Sequence, residues 1–251
     1  MIRIEGRVVT YAELWFDEEL DDSLNVDVLI CRHRPTPVHT RGCHRTSTLV
    51  TDLTPDENEL FRKFASTTRY EINRAQNKDE LNASVLPPTP ETVAAFLVFY
   101  DAFAQQKALP RAYRRQLFAA TAARQLVLSR ASCGDDALVW HAHILWRSSA
   151  VLLYSASHFR DTSASQRALV GRANRWLHWK DILHFKGLGL GHYDWGGIFD
   201  DESAADRAGI NGFKRDFGGT HVSAYNCTVP LTAKGRIYLA ARALLDRMHQ
   251  T

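Results

Sequence analysis

The residues best suited to chemistry lie in one stretch, residues 167–219. It contains a Tyr-Asp-Trp-Gly-Gly run at residues 193–197 and, further on, Phe213 followed by the basic pair Lys214 and Arg215. Paired glycines let other atoms approach the backbone closely, because they carry no side chain. An anionic substrate needs both room at the backbone and fixed positive charge, so the stretch predicts a binding site for such a substrate.

Three elements must position these residues. The apolar spacing before residue 187 predicts a helix that ends at a glycine-rich stop, residues 187–191. A short buried strand then ends on Tyr193, Asp194 and Trp195, and a second short helix begins near residues 208–211. A packed helix therefore leads into a buried strand, and the basic residues follow on the next loop and helix.

Two motifs resemble those of a known family. The sequences HYDWGGI (residues 192–198) and GINGFKRDFGG (residues 209–219) are similar to the closing signature of the Fem-like (FemABX) aminoacyltransferases, peptidoglycan-bridge enzymes built on the GNAT acyltransferase fold. Residues 66–75, STTRYEINRA, resemble the TRxxIRKA helix of the same family. The order and separation of the motifs also fit, and the resemblance covers most of the chain from Thr48 onward.

The resemblance implies a reaction and a partner. Fem-like enzymes form an amide by transferring an aminoacyl group from aminoacyl-tRNA to an amine, so aminoacyl-tRNA is the expected co-substrate and no further cofactor is expected. The acceptor would be an amine of a peptide, a cell-wall precursor or a small metabolite. Two alternatives stay open: an acyl-CoA-dependent N-acyltransferase acting on an amino sugar or other amine, and a non-catalytic RNA- or peptide-binding module.

Lys214 is the first catalytic candidate. The pair Phe213-Lys214 matches the family's Phe-Lys pair, whose lysine is thought to hold the tRNA terminus and offset developing negative charge; the alternative is a surface lysine. Asp194 could orient or deprotonate the amine, or accept backbone N–H bonds in a structural turn. His192 and Tyr154 are further catalytic candidates, because a GNAT fold would bring their two strands together where the acyl group sits.

Other residues are assigned to binding through the same resemblance. The donor-binding candidates are Phe213, Arg215, Gly171, Arg172 and Arg175, and the acceptor-binding candidates are Arg69, Arg74, Tyr193 and Trp195. Arg69 and Arg74 lie five positions apart, so on a helix they point in different directions. Without the resemblance, both arginines would be interpreted as solvated or ion-paired.

Acyl-CoA enzymes of the GNAT fold usually bind pyrophosphate at a Q/R-x-x-G-x-G/A turn, where a helix N-terminus offers free N–H groups. The nearest match is ALVGRA, residues 168–173, which begins with alanine where Gln or Arg is expected. The incomplete motif disfavours acyl-CoA, although the backbone N–H groups could still bind phosphate.

The composition sets broad limits. With 251 residues, 45% of them hydrophobic and 10% aromatic, the chain can build a packed core. A net charge of +3 leaves any attraction to nucleic acid to a local patch, and we expect no DNA partner. The sequence has no apolar run of about 18 residues and no apolar signal segment, so we expect a cytoplasmic protein without an integral membrane segment.

The four cysteines contain no CxxC pair, and their scattered spacing predicts free thiols. The segment of residues 31–44 nevertheless carries side chains that could bind zinc: Cys31, His33, His39 and Cys43. The spacing matches none of the common structural zinc patterns, and prolines with alternating arginines suit an irregular loop. We therefore expect a basic loop and no metal.

The expected architecture is α/β: a single GNAT-like domain over residues 1–251, with a mostly antiparallel mixed sheet and helices on both faces. Its centre is a meander of strands at residues 125–131, 137–146 and 150–157. Alternation places His141 and His143 on one half-buried face of the second strand, and Leu152 with Tyr154 on one face of the third. The remaining predictions are strands at residues 2–9, 26–31, 49–53, 81–86 and 222–230, helix starts at residues 54–57 and 89–91, helices at residues 68–77 and 111–124, and a last helix at residues 232–248.

Overall fold

The computed structural model describes residues 1–19, 25–38, 42–158 and 163–248, without the side chains of residues 246 and 247. His39, one of the potential zinc ligands, lies outside these ranges. The strands are β1 (Ile2–Glu5), β2 (Thr10–Trp15), β3 (Val28–Arg34), β4 (Cys43–Asp52), β5 (Leu81–Leu86), β6 (Leu126–Cys133), β7 (Asp136–Trp146), β8 (Ser149–Ser157), β9 (His192–Ile198) and β10 (Thr220–Pro230). The helices are α1 (Glu57–Arg62), α2 (Ser66–Lys78), α3 (Pro90–Lys107), α4 (Arg114–Ala122), α5 (Ala164–Gly187), α6 (Ala205–Arg215) and α7 (Ala233–Met248).

The chain divides into two compact units. The first comprises Met1–Ser47, Arg115–Arg124 and Ser223–Thr251, and the second comprises Thr48–Arg114 and Gln125–Val222. Strands β4 and β10 each contribute residues to both units, because the division falls within them. The expectation of one domain over the whole chain stays a prediction.

In the first unit the strand order is β1-β2-β3-β10-β4. Strand β2 was not predicted from the sequence, and it carries a buried acidic residue, Glu13. This carboxylate is 1% exposed and breaks the apolar pattern, but it accepts hydrogen bonds from Gln116 Nε2 at 2.6 Å and Arg32 Nε at 2.9 Å. A buried charge is tolerated when it is paired in this way, so the strand forms despite its sequence.

Two of the four cysteines form a disulfide, so the prediction of free thiols is wrong for Cys43 and Cys227. Neighbouring strands β4 and β10 bring their Cα atoms to 4.0 Å although they are 184 positions apart, a proximity that no local spacing reveals. Cys31 and Cys133 are free thiols, as predicted. The disulfide also occupies Cys43, which removes it from the potential zinc ligands.

The second unit contains the predicted meander. Its strand order is β4-β9-β8-β7-β6-β5, with β5 to β8 antiparallel and β8 parallel to β9. Helix α3 packs on one face, where Phe96 contacts Trp140, and α5 packs on the other, where Asp181 contacts His141. The prediction of a mostly antiparallel mixed α/β sheet with helices on both faces is confirmed.

The helix starts follow their capping residues. Thr89 caps α3 with Pro90 in the first turn, as predicted. The cap of α1 is Asp56, which accepts from Glu59 N, and not Thr54, whose N–H and hydroxyl both donate to Asp52 Oδ1. No helix in the described part of the chain combines the length and the apolar character needed to cross a bilayer.

Candidate functional site

The parallel strands β8 and β9 pair over three positions only. The ladder ends at Val151 and Asp194, while β8 continues to Ser157 and β9 to Ile198. Beyond the ladder, Gly196 and Gly197 form hydrogen bonds with the side chains of Asp194, Thr48 and Lys214. The pairing places the meander's last strand beside the strand after the next helix, as the GNAT resemblance implied.

The turn at Asp194 is held by its own side chain. Asp194 Oδ1 accepts a hydrogen bond from Gly196 N at 2.8 Å and contacts the Thr48 hydroxyl, which also lies 2.8 Å from Gly196 O. Gly196 has a φ of +71°, and a Cβ there would lie 2.9 Å from Leu152 O. Glycine is therefore required at this position. These contacts favour the structural reading of Asp194, and Thr48 is a partner that the sequence gave no reason to choose.

Lys214 lies at the end of β9. It is carried by α6, and its Nζ donates to Gly197 O at 2.7 Å. Burial lowers the pKa of Lys214 to about 8, against the opposing effect of the Asp194 carboxylate. The ammonium form still prevails at neutral pH, so a positive charge lies at the end of β9, beyond its ladder with β8.

Asn211 fixes the position of α6. Its Oδ1 accepts from Phe199 N at 3.0 Å, and its Nδ2 donates to Phe199 O and to Glu202 Oε1, both at 2.7 Å. The side chain is fully buried. Arg215 also donates to Glu202, and its hydrogen bonding with this carboxylate raises the pKa of Arg215. The Asn within GINGFK was the signal for this role, but only the basic residues after it were chosen from the sequence.

The other donor-binding candidates lie on α5 and α6. Arg172 forms an ion pair with Asp79, and Arg175 pairs with Glu71 at 3.1 Å while its guanidinium lies 5.0 Å above the ring of Phe213. These arginines are therefore engaged with neighbouring side chains of the second unit. Phe213 places its ring beneath a cation and directly precedes Lys214.

The ALVGRA segment is not a phosphate-binding turn. Helix α5 begins four residues earlier, with Ser163 as its N-cap, so Gly171 lies inside the helix. Only the first four N–H groups of a helix lack an intrahelical partner. The expectation that backbone N–H groups at residues 168–173 could bind phosphate is therefore wrong.

The acceptor-binding candidates are dispersed. Arg69 donates to the carbonyls of Arg62 and Phe64 and thereby closes the end of α1, whereas Arg74 is exposed on α2. Tyr193 and Trp195 are fully buried in the core, where the Trp195 Nε1 donates to a threonine hydroxyl at 2.9 Å. The structure places both rings inside the protein and not on a surface open to an acceptor.

Two catalytic candidates lie apart from Lys214. His192 is the exposed first residue of β9, roughly 16 Å along the strand from Gly197. The Tyr154 hydroxyl accepts from Tyr113 N at 3.1 Å, and its ring packs against Tyr100 on the α3 face. The structure therefore brings together Lys214, Asp194 and the paired glycines; His192 lies at the other end of β9, and Tyr154 contacts Tyr100 and Tyr113.

A cavity of about 240 Å³ opens elsewhere in the second unit, beside β4. Its lining includes Asp52, Lys63 and Phe217, and it contains neither Lys214 nor Asp194. The position of this cavity therefore does not point to Lys214 or Asp194 as reacting groups.

Comparisons with known proteins show similarity in structure and not in sequence. No protein-family model matches the chain, and no curated protein matches its sequence. A crystal structure of FemX superposes with a TM-score of 0.59 at 12% identity, covering 77% of this chain and 63% of FemX. This chain thus spans less than two thirds of that relative.

Two further structures have a similar fold. One is the C-terminal domain (DUF2156) of a candidate lysylphosphatidylglycerol synthetase from Agrobacterium fabrum, with a TM-score of 0.56, 11% identity and coverage of 86% of this chain and 72% of that one. The other is L-PGS from Bacillus licheniformis, with a TM-score of 0.53, 9% identity and coverage of 87% and 73%. At these identities the likeness shows a shared fold alone.

Proposed function

We propose that this protein is an acyltransferase that forms an amide by moving an aminoacyl group from aminoacyl-tRNA to an amine. The observation that carries the proposal is the Lys214 ammonium, which is bound to Gly197 O beyond the end of the ladder between β8 and β9. The fold shared with FemX, together with the Phe213-Lys214 motif, supports the same class of reaction.

The proposed reaction replaces an ester by an amide. The neutral amine of the acceptor attacks the ester carbonyl carbon, the bond from that carbon to the ribose oxygen breaks, and the proton lost by the amine balances the one gained by the oxygen. Negative charge develops on the carbonyl and ribose oxygens during this exchange. The Lys214 ammonium would stabilise that charge and a neighbouring phosphate of the tRNA terminus.

The acyl-CoA alternative is less well supported. The motif expected to bind its pyrophosphate, residues 168–173, lies inside α5, where the N–H groups are already bonded. The acceptor is proposed only as an amine of a peptide, a cell-wall precursor or a small metabolite.

The test compares three variants in two assays. Titration calorimetry with CoA and acetyl-CoA is paired with filter binding of bulk aminoacyl-tRNA at two salt concentrations, followed by transfer to a panel of amines. We expect salt-sensitive retention of tRNA, because phosphate contacts weaken as salt rises. Lys214→Ala should lower the transfer rate by about 10²-fold, the loss typical of removing one charge-stabilising donor.

Lys180→Ala is the matched control, because Lys180 lies on α5 with its Nζ 5.4 Å from the Trp176 ring and takes no part in the site. Lys214→Arg should retain more activity than Lys214→Ala. Micromolar binding of CoA without retention of tRNA would refute the proposal in favour of acyl-CoA chemistry. Equal transfer rates for Lys214→Ala and the wild type would remove Lys214 from the mechanism.

A further inference from the structure

A group of ionisable side chains is buried in the second unit, on the α5 face of the sheet. His141 and His143 alternate on β7, and His178 and Asp181 lie one turn apart on α5. All four are at most 1% exposed, so the expected half-buried face is in fact fully buried. One ligand atom from each of His141, His178 and Asp181 lies within 4.8 Å of the other two.

His141 contacts a buried carboxylate through one ring nitrogen and an amide through the other. Its Nδ1 lies 2.6 Å from Asp181 Oδ2, and its Nε2 lies 2.9 Å from Asn174 Oδ1. A proton on Nδ1 would donate to Asp181, with the Asn174 amide turned so that its Nδ2 donates to Nε2. A metal ion would instead replace that proton and bind both Nδ1 and Asp181, and the two atoms would then move apart, because each ligand atom lies about 2.0–2.2 Å from a bound zinc ion.

Asp181 also lacks a fixed positive partner. Its ion pairs within the described ranges are with His141 and, at 3.7 Å, with His143; none involves lysine or arginine. A buried carboxylate without a counter-charge is strongly unfavourable. A divalent cation would supply that charge and use the nitrogen lone pairs that face it.

The remaining contacts resemble the outer shell of a metal site. The Tyr193 hydroxyl lies 3.2 Å from His178 Nδ1 and 3.1 Å from His143 Nε2, and Asn174 holds the outer nitrogen of His141. Such second contacts fix the tautomer and the orientation of ligating imidazoles. Among the described residues the buried Nδ1 of His143 has no hydrogen-bond partner, and the polar contacts of this ring, to Tyr193 and Asp181, run through Nε2.

We propose that His141, His178 and Asp181 bind one divalent transition-metal ion, with Zn²⁺ as the first choice. Imidazole and carboxylate groups are ligands typical of zinc. Because every ligand is buried, the ion would be a closed cross-link between β7 and α5. It would lie behind Tyr193, the neighbour of Asp194 on β9. This site is independent of the proposed transfer reaction.

The experiment measures metal directly. Protein purified without chelator is analysed by mass spectrometry for bound metals, then stripped and reloaded with ZnCl₂ or CoCl₂ alone. We expect about one ion per chain, as for a folded structural site, and visible absorption bands from the Co²⁺ form. Asp181→Asn and His178→Gln should each weaken binding by about tenfold or more. His221→Gln, which removes an exposed histidine of β10, should bind metal like the wild type.

If Asp181→Asn or His178→Gln fails to fold, the metal content and Co²⁺ absorption of the wild type test the proposal. Absence of metal above the buffer background, together with no Co²⁺ absorption after reloading, would overturn the proposal. The cluster would then be a hydrogen-bonded network in which the Asn174 amide is reversed and His141 donates to Asp181. Metal binding that persists unchanged in both folded variants, or that is lost in His221→Gln, would also overturn it.

Discussion

Lys214 is held by a carbonyl and not by a carboxylate. Its Nζ donates to Gly197 O, and within the described part of the chain it forms no ion pair. Desolvation without a contacting counter-charge is what lowers its pKa to about 8, with Asp194 acting in the opposite direction from further away. A phosphate or a developing oxyanion would be the missing counter-charge, which is why this lysine suits an anionic substrate.

The lowered pKa predicts a pH dependence with a definite sign. If transfer needs the ammonium, the rate should fall as pH rises through about 8, because the charge is lost there. Lys214→Arg should not show this fall, since a guanidinium stays protonated. Single-turnover transfer rates across this pH range check the prediction. A rate that instead rises through pH 8 in the wild type but not in Lys214→Arg would mean that neutral Lys214 acts as a base.

Gly196 offers a second prediction at the residue scale. Gly196→Ala places a side chain at a φ of +71° and a Cβ 2.9 Å from Leu152 O. Gly134→Ala is the matched control, because its φ is +57° and a Cβ there meets nothing within 4 Å. We expect the control to lose about 1–2 kcal/mol of unfolding free energy from backbone strain alone, and Gly196→Ala to lose more. Equal losses in urea unfolding would show that the Leu152 contact relaxes freely.

At the scale of elements, α7 is positioned by close approach of its first turn to the chain before β3. A Cβ at Gly235 would lie 2.1 Å from Asp27 O, which is backbone and cannot move aside cheaply. The same carbonyl accepts from Leu231 N at 2.9 Å, so the start of α7 is tied to this point. Only glycine permits that contact within the first unit.

Gly235→Ala should therefore destabilise the protein, although alanine is the better helix former by about 1 kcal/mol. Gly209→Ala tests the propensity alone, because Gly209 also lies in a helix and a Cβ there meets nothing within 4 Å. We expect a higher melting temperature for Gly209→Ala and a lower one for Gly235→Ala. A stabilised Gly235→Ala variant would show that α7 can shift away from Asp27.

The sequence predicted elements where local chemistry defines them. The Cys-Gly-Asp turn and the proline-led start of α3 gave the meander and its flanking helix, because these signals act within a few residues. The face of Tyr154 was predicted wrongly, since a register shift between Ala142 and His143 separates it from Leu152. Leu152 packs in the core around Trp195, whereas Tyr154 contacts α3. One inserted residue reverses every later assignment.

Only some residues of the candidate site could be predicted from the sequence. Lys214 and the paired glycines could be found from their motif, and the structure places them together. Thr48 and the disulfide could not, because their partners are more than a hundred residues away. The histidine cluster was hidden for a related reason: an alternating His-x-His on a strand becomes a group only when α5 packs across it.

For the whole molecule, the disulfide closes a very long loop. Cys43 and Cys227 belong to the first unit, and the chain between them contains the entire second unit. A cross-link stabilises mainly by restricting the unfolded chain, more so for longer loops, although the measured values saturate. Reduction should therefore lower the free energy of unfolding by about 2–5 kcal/mol.

Alkylation decides whether this cross-link forms in the isolated protein. In denaturant without reductant, iodoacetamide should modify two of the four cysteines, Cys31 and Cys133, and with reductant it should modify all four. Peptide mass spectrometry identifies the modified positions. The melting temperature should fall on reduction in the wild type but not in Cys43→Ser/Cys227→Ser. Four modified cysteines without reductant would mean that β4 and β10 hold two thiols, and the first unit would then rely on its core around Leu14, Leu29 and Cys31 alone.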